Sequence, residues 1–253
     1  MAKYRKKKTS TLFLDVKGAF DHVSINQLLR ICNRLGLPRS LIKWIYSFLS
    51  NRKVLLAFDG ETSEIMPINI GIPQGSPISP ILFAIYVRFL YDFSEESGDK
   101  KSTLESAGYL SYVDDNSITI SSDSHKKNCR ILEQISDYLI KKGEANHIIF
   151  NHDKTELIHF FPSQSIDLDD ARFKVKIGEK EIKAQESLKW LGIYIDSKLT
   201  FKEHVIKKTL EATRVFHQIE RLSNTERGLS FQAMRQLYIA CICSIADYGV
   251  PIW

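Results

Sequence analysis

The chain has 253 residues, of which 43% are hydrophobic and 26% charged, a composition typical of a globular protein with a substantial core. No apolar stretch is long enough to span a bilayer, and residues 1–10 lack the apolar segment of a secretory signal. We therefore expect an intracellular protein, in the nucleus or the cytoplasm or both, without a membrane partner. The four cysteines lack a metal-ligand pattern and predict reduced thiols, not a zinc site. A net charge of +5 is compatible with a polyanionic partner.

The first part of the chain predicts one strand and two helices. A basic, solvated tail is expected over residues 1–10, and the apolar run at residues 11–16 predicts a buried strand with Asp15 near its end. Ser24 is expected to cap a first helix, and a second helix is expected to begin at Ser40. The second helix has an apolar face that we expect to be buried, formed by Leu41, Ile42, Trp44, Ile45, Phe48 and Leu49.

Turns and loops dominate the next part. Asp59-Gly60, flanked by residues 54–58 and 65–70, predicts a β-hairpin with a slightly longer loop, and the loop at residues 71–77 is dense in Gly and Pro. The polar stretch at residues 94–106 is expected to be an exposed loop. Two short strands then bracket residues 114–116, Asp-Asp-Asn, which predicts an acidic turn.

The remaining pattern is helix, short strands and helices. A long amphipathic helix is predicted over residues 124–142, with Gly143 ending it. Short strands follow up to about residue 195, and helices are expected over residues 201–222 and 230–248. This order predicts an α+β domain with an antiparallel sheet, followed by a mainly helical part.

Three acidic residues carry the clearest chemical signal. Asp114 and Asp115 are adjacent at a tight turn between apolar strands, where two buried carboxylates would repel each other unless they bind a cation. The alternative is a solvent-exposed hairpin turn. Asp15 ends a separate apolar strand, although such a residue is often only a helix cap. Three carboxylates from two strands are what two magnesium ions need to promote a phosphoryl transfer.

The segment at residues 71–83, GIPQGSPISPILF, is a second candidate site. Gly71 and Gly75 permit backbone conformations and close approaches that other residues forbid. Gln74 offers a side chain that can hydrogen-bond or stack near a base. The alternative is a capped entry into the following helix, a role that Ser76 and Ser79 suit.

Taken in order, LFLDVKGAFDHV, GIPQGSPISPILF and SYVDD resemble the three palm motifs of reverse transcriptases, in the form found in non-LTR (LINE-like) retrotransposons. NHDKTELIHF is similar to the next palm motif, and SLKWLGIYIDSKLTFKEHV and the tail RQLYIACICSIADYGVPIW resemble the segments that follow it. The resemblance covers residues 11–253. It implies a right-hand polymerase palm over residues 11–200, with an antiparallel sheet packed on helices, and a partial helical thumb over residues 201–253.

The resemblance also implies a catalytic set. Asp15 and Asp114 match the main metal-ligand carboxylates, Asp115 completes the set, and the backbone carbonyl of Val16 matches a further metal contact. Lys154 matches the lysine that holds or protonates the leaving pyrophosphate, although a surface lysine that opens a strand is an equal alternative. The implied cofactor is a pair of Mg²⁺ ions, which Mn²⁺ could replace.

Substrate contacts follow from the same resemblance. Phe20 falls at the steric-gate position, where a bulky ring selects deoxynucleotides, unless it is simply a core phenylalanine. Gln74 and Gly75 match the loop that backs the nascent base pair, and Tyr112 matches an aromatic residue near the primer terminus. The region expected to grip the primer contains Trp190, Leu191 and Gly192. The implied partners are an RNA template, a DNA primer and deoxynucleoside triphosphates; the sequence does not predict an oligomeric state.

The resemblance implies an RNA-directed DNA polymerase core that adds deoxynucleotides to a primer 3′-hydroxyl by two-metal phosphoryl transfer. Only ten residues precede the first palm motif, where family members have a fingers region. We therefore expect fingers to be largely absent, as in a truncated retroelement frame, and weak or no activity from this chain alone. The alternatives are a catalytically impaired remnant that binds nucleic acid, and a product without function.

Overall fold

A computed structural model describes residues 7–161, 172–223 and 228–252. These residues divide into two compact units. The first contains the described residues up to His159 and those of 172–184; the second contains Phe160, Phe161 and the described residues from 185 onward. None of the helices in the described part of the chain combines the length and apolar character of a membrane span.

The strands and helices follow each other along the whole described chain. The strands are β1 (Lys8–Val16), β2 (Arg52–Val54), β3 (Ala57–Phe58), β4 (Glu61–Thr62), β5 (Met66–Ile68), β6 (Gly108–Tyr112), β7 (Asp115–Ser122), β8 (Phe150–Phe160), β9 (Lys174–Ile177), β10 (Lys180–Gln185), β11 (Ser187–Trp190) and β12 (Ile193–Asp196). The helices are α1 (Ile25–Arg34), α2 (Arg39–Leu49), α3 (Ser79–Val87), α4 (Gly98–Glu105), α5 (His125–Glu144), α6 (Lys202–Glu220), α7 (Phe231–Leu237) and α8 (Ser244–Ala246).

A six-stranded sheet in the order β6-β7-β1-β8-β10-β9 forms the centre of the fold. Strand β7 pairs antiparallel with both β1 and β6, and β9 pairs antiparallel with β10. Helix α5 packs on this sheet against β1, β7 and β9, while α1 packs on α2 and α3. A central sheet with helices around it confirms the predicted α+β class in its coarse form.

The main hydrophobic core lies between the sheet and its helices. One face of β1 and β7 meets the apolar stripe of α5, as the helical spacing of that stripe predicted. The buried residues at this contact include Leu12, Leu14, Ile118, Ile120, Leu132, Ile135 and Leu139. Each such side chain contributes about 1.5–3 kcal/mol by leaving water, so this layer fixes the register of β1 against β7.

Local turn chemistry behaves as predicted at two places. The Ser24 hydroxyl accepts a hydrogen bond from the Gln27 backbone N–H, 3.4 Å away, and so caps α1. Asp59 and Gly60 both have positive φ, +52° and +84°, and join β3 to β4 in a two-residue hairpin loop, which is shorter than the loop that the sequence predicted.

Several expected boundaries are wrong. Strand β1 begins at Lys8, within the segment predicted to be a tail, because the side chains of Thr9 and Ser10 find partners on neighbouring elements. Part of the predicted exposed loop forms α4, which is anchored by the buried Leu104. Gly143 does not end α5 but lies inside it, because a Cβ there would stand 2.9 Å from the carbonyl oxygen of Ile148.

The predicted apolar face of α2 is only partly buried. Ile45 and Leu49 are buried, but Leu41 remains 40% exposed and Trp44 48% exposed. The Trp44 ring stacks on Phe48 of the same helix, with ring centroids 5.5 Å apart. Periodicity therefore identified the helix correctly but overestimated how much of it meets the core.

The second unit contains the β11–β12 hairpin and the helices from α6 onward. Its small core consists of Ala212, Ile219 and Ile242, and a π-helical turn at Tyr238–Cys243 follows α7. His204 is buried: its Nδ1 accepts from the Tyr194 backbone N–H at 3.3 Å, so its Nε2–H donates to the Tyr248 carbonyl at 2.9 Å. The neutral imidazole thus links β12, α6 and the last turn of the described chain.

Candidate active site

Two of the predicted catalytic aspartates are direct cross-strand partners. Asp15, the last but one residue of β1, pairs with Asp115, the first residue of β7. Side chains of such partners lie on the same face of a sheet, with Cβ atoms about 4.5–5.5 Å apart. Next to them, the Val16 backbone N–H donates to the Asp114 carbonyl oxygen at 3.1 Å. The antiparallel register therefore brings all three aspartates to one edge, although 99 residues separate Asp15 from Asp114 in sequence.

The acidic turn holds an unusual backbone conformation. Tyr112 pairs with Asp115, so Val113 and Asp114 form a two-residue hairpin loop. Val113 has φ +57°, which is unusual for a β-branched residue and costs about 1–3 kcal/mol. The side chain of Val113 packs against the core, while Tyr112 is 63% exposed beside the carboxylates. Packing of Val113 therefore helps to hold the turn in a shape that local preference alone does not favour.

Asn116 supports this turn from the buried side of the sheet. Its Nδ2 donates to the Asp114 carbonyl oxygen at 2.9 Å, and its Oδ1 accepts from the Tyr91 hydroxyl at 2.6 Å. The sequence analysis placed Asn116 only in the turn itself and did not consider Tyr91. No local signal indicated either role, because β7 is polar along most of its length and Tyr91 belongs to a separate segment.

Burial and the neighbouring carboxylates both affect the pKa of Asp115. Burial first, and then the charges of Asp114 and Asp15, raise the pKa of Asp115 above its usual value. Lys154 on β8 opposes this effect. Its Nζ lies 3.3 Å from Asp15 Oδ2 and 3.4 Å from Oδ1, although its side chain is 66% exposed. The ion pair is therefore weak, and the edge keeps an excess of negative charge.

These carboxylates suit a hard divalent cation. Among the residues that the structure describes, no three His, Cys, Asp or Glu side chains form a ready-made cage for a metal ion. Magnesium seldom uses such a cage: it binds one or two carboxylates and completes its shell with water and substrate phosphates. The raised pKa of Asp115 indicates a site that a cation would relieve. The donor set therefore fits Mg²⁺.

Phe20 and the loop after β5 lie against each other. The Phe20 ring is half-buried, 5.5 Å from the ring of Phe83 between centroids, and its carbonyl accepts from the Ile72 N–H at 2.8 Å. Gly71 has φ +77°, and a Cβ there would stand 2.8 Å from the carbonyl oxygens of Phe20 and Asp21. Glycine is therefore required at Gly71 both by conformation and by space.

Gln74 and Gly75 occupy the same loop. Gln74 Nε2 donates to Asp21 Oδ1 at 2.9 Å, which ties the loop to the turn that follows β1. Gly75 has φ +85° but faces open space, so its conformation, and not a close neighbour, calls for glycine. The loop that carries Gln74 and Gly75 therefore contacts the turn that carries Phe20 and Asp21, while the roles of these residues remain predictions.

Trp190, Leu191 and Gly192 lie in the second unit, at the turn between β11 and β12. Leu191 and Gly192 have φ +48° and +80°, as a two-residue hairpin loop requires. The Tyr248 hydroxyl donates to the Leu191 carbonyl at 2.8 Å, and a Cβ at Gly192 would lie 3.0 Å from the Tyr248 ring. Tyr248, which the sequence analysis did not single out, therefore helps to hold this turn.

Comparison with known proteins places these motifs in a family. Residues 1–195 match the family described as reverse transcriptase (RNA-dependent DNA polymerase). In Drosophila melanogaster the chain is similar to the RNA-directed DNA polymerase from mobile element jockey, 26% identical over 95% of this chain and 25% of the relative. It is also similar to the probable RNA-directed DNA polymerase from transposon BS, 25% identical over 96% of this chain and 26% of the relative. The chain thus spans about a quarter of the length of these relatives.

Solved structures agree on the fold. The structure of apo telomerase from Candida tropicalis matches 96% of this chain and 42% of its own, with a TM-score of 0.52 and 14% identity. A form truncated from the C-terminal domain matches 77% of this chain and 35% of its own, with a TM-score of 0.50 and 17% identity. The resemblance predicted from three ordered motifs is confirmed: the chain belongs to the reverse transcriptase (RNA-dependent DNA polymerase) family.

Proposed function

We propose that this chain is the RNA-directed DNA polymerase core of a non-LTR retroelement. In this proposal residues 11–200 form the palm of a right-hand polymerase and residues 201–253 part of its thumb. The chain extends the 3′-hydroxyl of a DNA primer on an RNA template and releases pyrophosphate. The observation that carries the proposal is the pairing of Asp15 with Asp115, beside Asp114, at one edge of the sheet.

The carboxylates have a defined task in this reaction. Asp15, Asp114 and Asp115, together with the carbonyl of Val16, would hold two magnesium ions. When bound, these ions would activate the primer hydroxyl and neutralise charge on the phosphates. The carboxylates themselves position the reacting groups, and positioning together with electrostatic stabilisation accounts for most of the catalysis of phosphoryl transfer.

Other side chains would act on the substrates directly. Lys154 is a candidate to donate a proton to the leaving pyrophosphate, because a triphosphate near Asp15 would lie within its reach. Phe20 would exclude a ribose 2′-hydroxyl, and Gln74 with Gly75 would support the nascent base pair. Tyr112 would contact the primer terminus. The segment formed by Trp190, Leu191 and Gly192 would grip the primer strand.

Primer extension tests this proposal. The wild-type chain, a labelled DNA primer on an RNA template, deoxynucleoside triphosphates and Mg²⁺ are compared with the Asp114→Ala/Asp115→Ala variant. Because the chain is expected to have weak activity by itself, we expect weak extension by the wild type and none by the variant, with equal duplex binding and equal circular dichroism for both proteins. Duplex binding without extension by either protein would reject the enzyme and favour a non-catalytic nucleic-acid-binding remnant.

A further inference from the structure

A large cleft opens on the first unit, and its lining does not include Asp15, Asp114 or Asp115. Its volume is about 960 Å³, at the upper end of the range for small-molecule sites. Helix α1, the 3-10 turn that follows α3 (Arg88–Tyr91) and helix α5 contribute to its walls. None of the residues assigned above to the metal ions, the nucleotide or the primer lines it.

The lining is rich in positive charge. The cations are Arg34, Arg88, Lys100, Lys141 and Lys142, and the carboxylates are Asp92, Glu95 and Glu96. Lys100 is already paired with Glu96, Nζ to Oε2 at 2.8 Å. In the described part of the chain, the side chains of Arg34 and Lys141 make no hydrogen bond or ion pair, and both are exposed. The cleft therefore offers cations that no protein group neutralises.

Helix ends explain these cations only in part. Arg34 is in the last turn of α1, and Lys141 and Lys142 are in the last turn of α5, where positive charge is favourable. That effect operates at each helix separately. It does not account for the cations of two helix ends and Arg88 lining one concave surface. There the cations outnumber the carboxylates of Asp92, Glu95 and Glu96, so that a bound anion would reduce the remaining repulsion.

Lys142 shows how the cleft would respond to an anion. Its Nζ donates to the Asp92 carbonyl oxygen at 2.5 Å and to the Tyr138 hydroxyl at 3.2 Å. Burial lowers the pKa of Lys142, against the opposing effect of nearby acids. An added anion would favour its charged form.

The aromatic residues of the cleft are already engaged. Lys100 and Lys142 approach the Tyr138 ring, with Nζ 4.7 Å and 5.3 Å from its centroid. The ring of Tyr91 packs on Tyr109, and that of Phe89 packs edge-on against Tyr86. Base recognition on single strands relies on free aromatic faces, whereas phosphate recognition needs only guanidinium and ammonium groups. The cleft is therefore built for phosphates and not for bases.

We propose that this cleft binds backbone phosphates of a single nucleic-acid strand, as a second contact that does not use the aspartates. Arg34 and Arg88 suit phosphate because the guanidinium fork can donate two parallel hydrogen bonds to its oxygens. Lys141 and Lys142 add charge. This contact does not depend on the base sequence of the strand or on polymerase activity. The result of the primer-extension assay therefore does not decide whether the cleft binds phosphate.

Fluorescence anisotropy with a short, labelled single-stranded RNA tests the proposal. The Arg34→Ala/Lys141→Ala variant removes two unpaired cations of the cleft. The matched control, Arg30→Ala/Lys126→Ala, removes two exposed cations from the same helices outside the cleft. We expect about tenfold weaker binding for the cleft variant and little change for the control. The slope of log affinity against log salt should fall by about 1.4, or 0.7 for each lost phosphate contact.

Competition identifies the source of the phosphate. Unlabelled RNA should displace the label from the wild type at lower phosphate concentration than a free deoxynucleoside triphosphate does. If the free nucleotide displaces the label as well as RNA does, the ligand is not a nucleic-acid strand. Two results would overturn the phosphate site itself. One is that polyglutamate displaces the label as efficiently as RNA does. The other is that the cleft and control variants lose RNA affinity equally while their circular dichroism is unchanged.

Discussion

The two ends of strand β1 treat polar side chains in opposite ways. Near its start, the buried Ser10 hydroxyl contacts three polar groups: His125 Nδ1 at 3.0 Å, His159 Nδ1 at 2.9 Å and Asn128 Nδ2 at 3.1 Å. Near its end, Asp15 faces Asp115 and forms an ion pair with Lys154, whose side chain is exposed. Ser10 points to the α5 side of the sheet, and Asp15 to the other side, because side chains alternate along a strand.

The hydrogen bonds of the Ser10 cluster can be assigned from its acceptors. The Phe173 carbonyl can only accept, so His159 carries its proton on Nε2, 3.1 Å away, and its Nδ1 accepts from the Ser10 hydroxyl. His125 Nδ1–H and Asn128 Nδ2–H then both donate to the Ser10 oxygen. One hydroxyl thus donates once and accepts twice, and the buried imidazoles stay neutral.

At the acidic edge, by contrast, carboxylates face one another and their charges repel. Burial, and then the charges of Asp114 and Asp15, raise the pKa of Asp115, and the turn between β6 and β7 holds Val113 at positive φ. The hydrogen bonds of the buried Ser10 cluster hold elements of the fold together, although the buried Asn128 Oδ1 accepts no hydrogen bond from the described residues. A group of like charges without a matching protein partner points instead to a ligand. The comparison separates the structural polar residues of this sheet from the functional ones.

The largest expected effect is on activity, from Asp15→Asn. Loss of this carboxylate should lower the primer-extension rate at least about a thousandfold, which corresponds to about 4 kcal/mol in the transition state. The free energy of unfolding should change by less than about 1 kcal/mol, because the ion pair with Lys154 is exposed. Asp123→Asn, at the far end of the same strand pair, is the control. Near-normal extension by Asp15→Asn would remove Asp15 from the catalytic set.

Ser10→Ala should have the opposite effects to Asp15→Asn: it should lower stability and leave activity unchanged. It leaves nitrogens of His125, His159 and Asn128 without their common partner, and each buried unsatisfied group costs about 1–3 kcal/mol. We expect the free energy of unfolding in urea to fall by about 3 kcal/mol, with unchanged activity per folded molecule. Ser121→Ala, which removes an exposed hydroxyl bonded to Thr9, should cost less than about 0.5 kcal/mol. Equal costs for both serines would contradict the assigned network.

Lowering the pH should gradually decrease the free energy of unfolding, through the buried histidines near Ser10. Burial lowers the pKa of His125 to about 3, helped by His159 and Lys8, and burial also lowers the pKa of His159. The unfolded chain binds protons at these positions below its ordinary pKa of 6.5, while the folded chain does not. Stability is therefore complete above pH 6.5 and falls as the pH drops toward the folded value, by about 1.4 kcal/mol per pH unit for each neutral histidine.

Urea unfolding between pH 7.5 and pH 5 would measure this slope, and histidine ¹³C shifts would report the charge of each ring. The neighbouring Cys129 and Glu133 belong to the same buried surroundings, so their replacement is avoided in this series. A flat stability profile with His125 charged at pH 5 would refute the neutral pair.

Elements with a strong local signal were predictable. The Ser24 cap, the Asp59-Gly60 turn and the strand that carries Asp15 each have a short-range cause that one stretch of sequence contains. Helix α4 was missed because its polar sequence has no periodic apolar face and depends on Leu104 alone for burial. Gly143 was misjudged because the contact that requires a glycine there comes from Ile148 after the helix.

The residues of the candidate site also divide into those that the sequence predicted and those that it did not. The ordered motifs were sufficient to indicate Asp15, Asp114 and Asp115, since each lies in a segment with its own pattern. The supporting residues Tyr91 and Asn116 were not predictable. Tyr91 follows α3 and reaches the acidic turn only because the folded chain brings β6 and β7 beside it.

By itself, the sequence determined the family, the α+β class and the identity of the acidic residues, because motif order and residue chemistry are properties of the chain. Only the tertiary structure decided that Asp15 stands opposite Asp115, and that Ser10 joins two histidines from distant elements. It also brought the cations of α1 and α5 into one cleft. The physical reason is that register and helix packing are fixed by burial of the shared core, which no single segment contains.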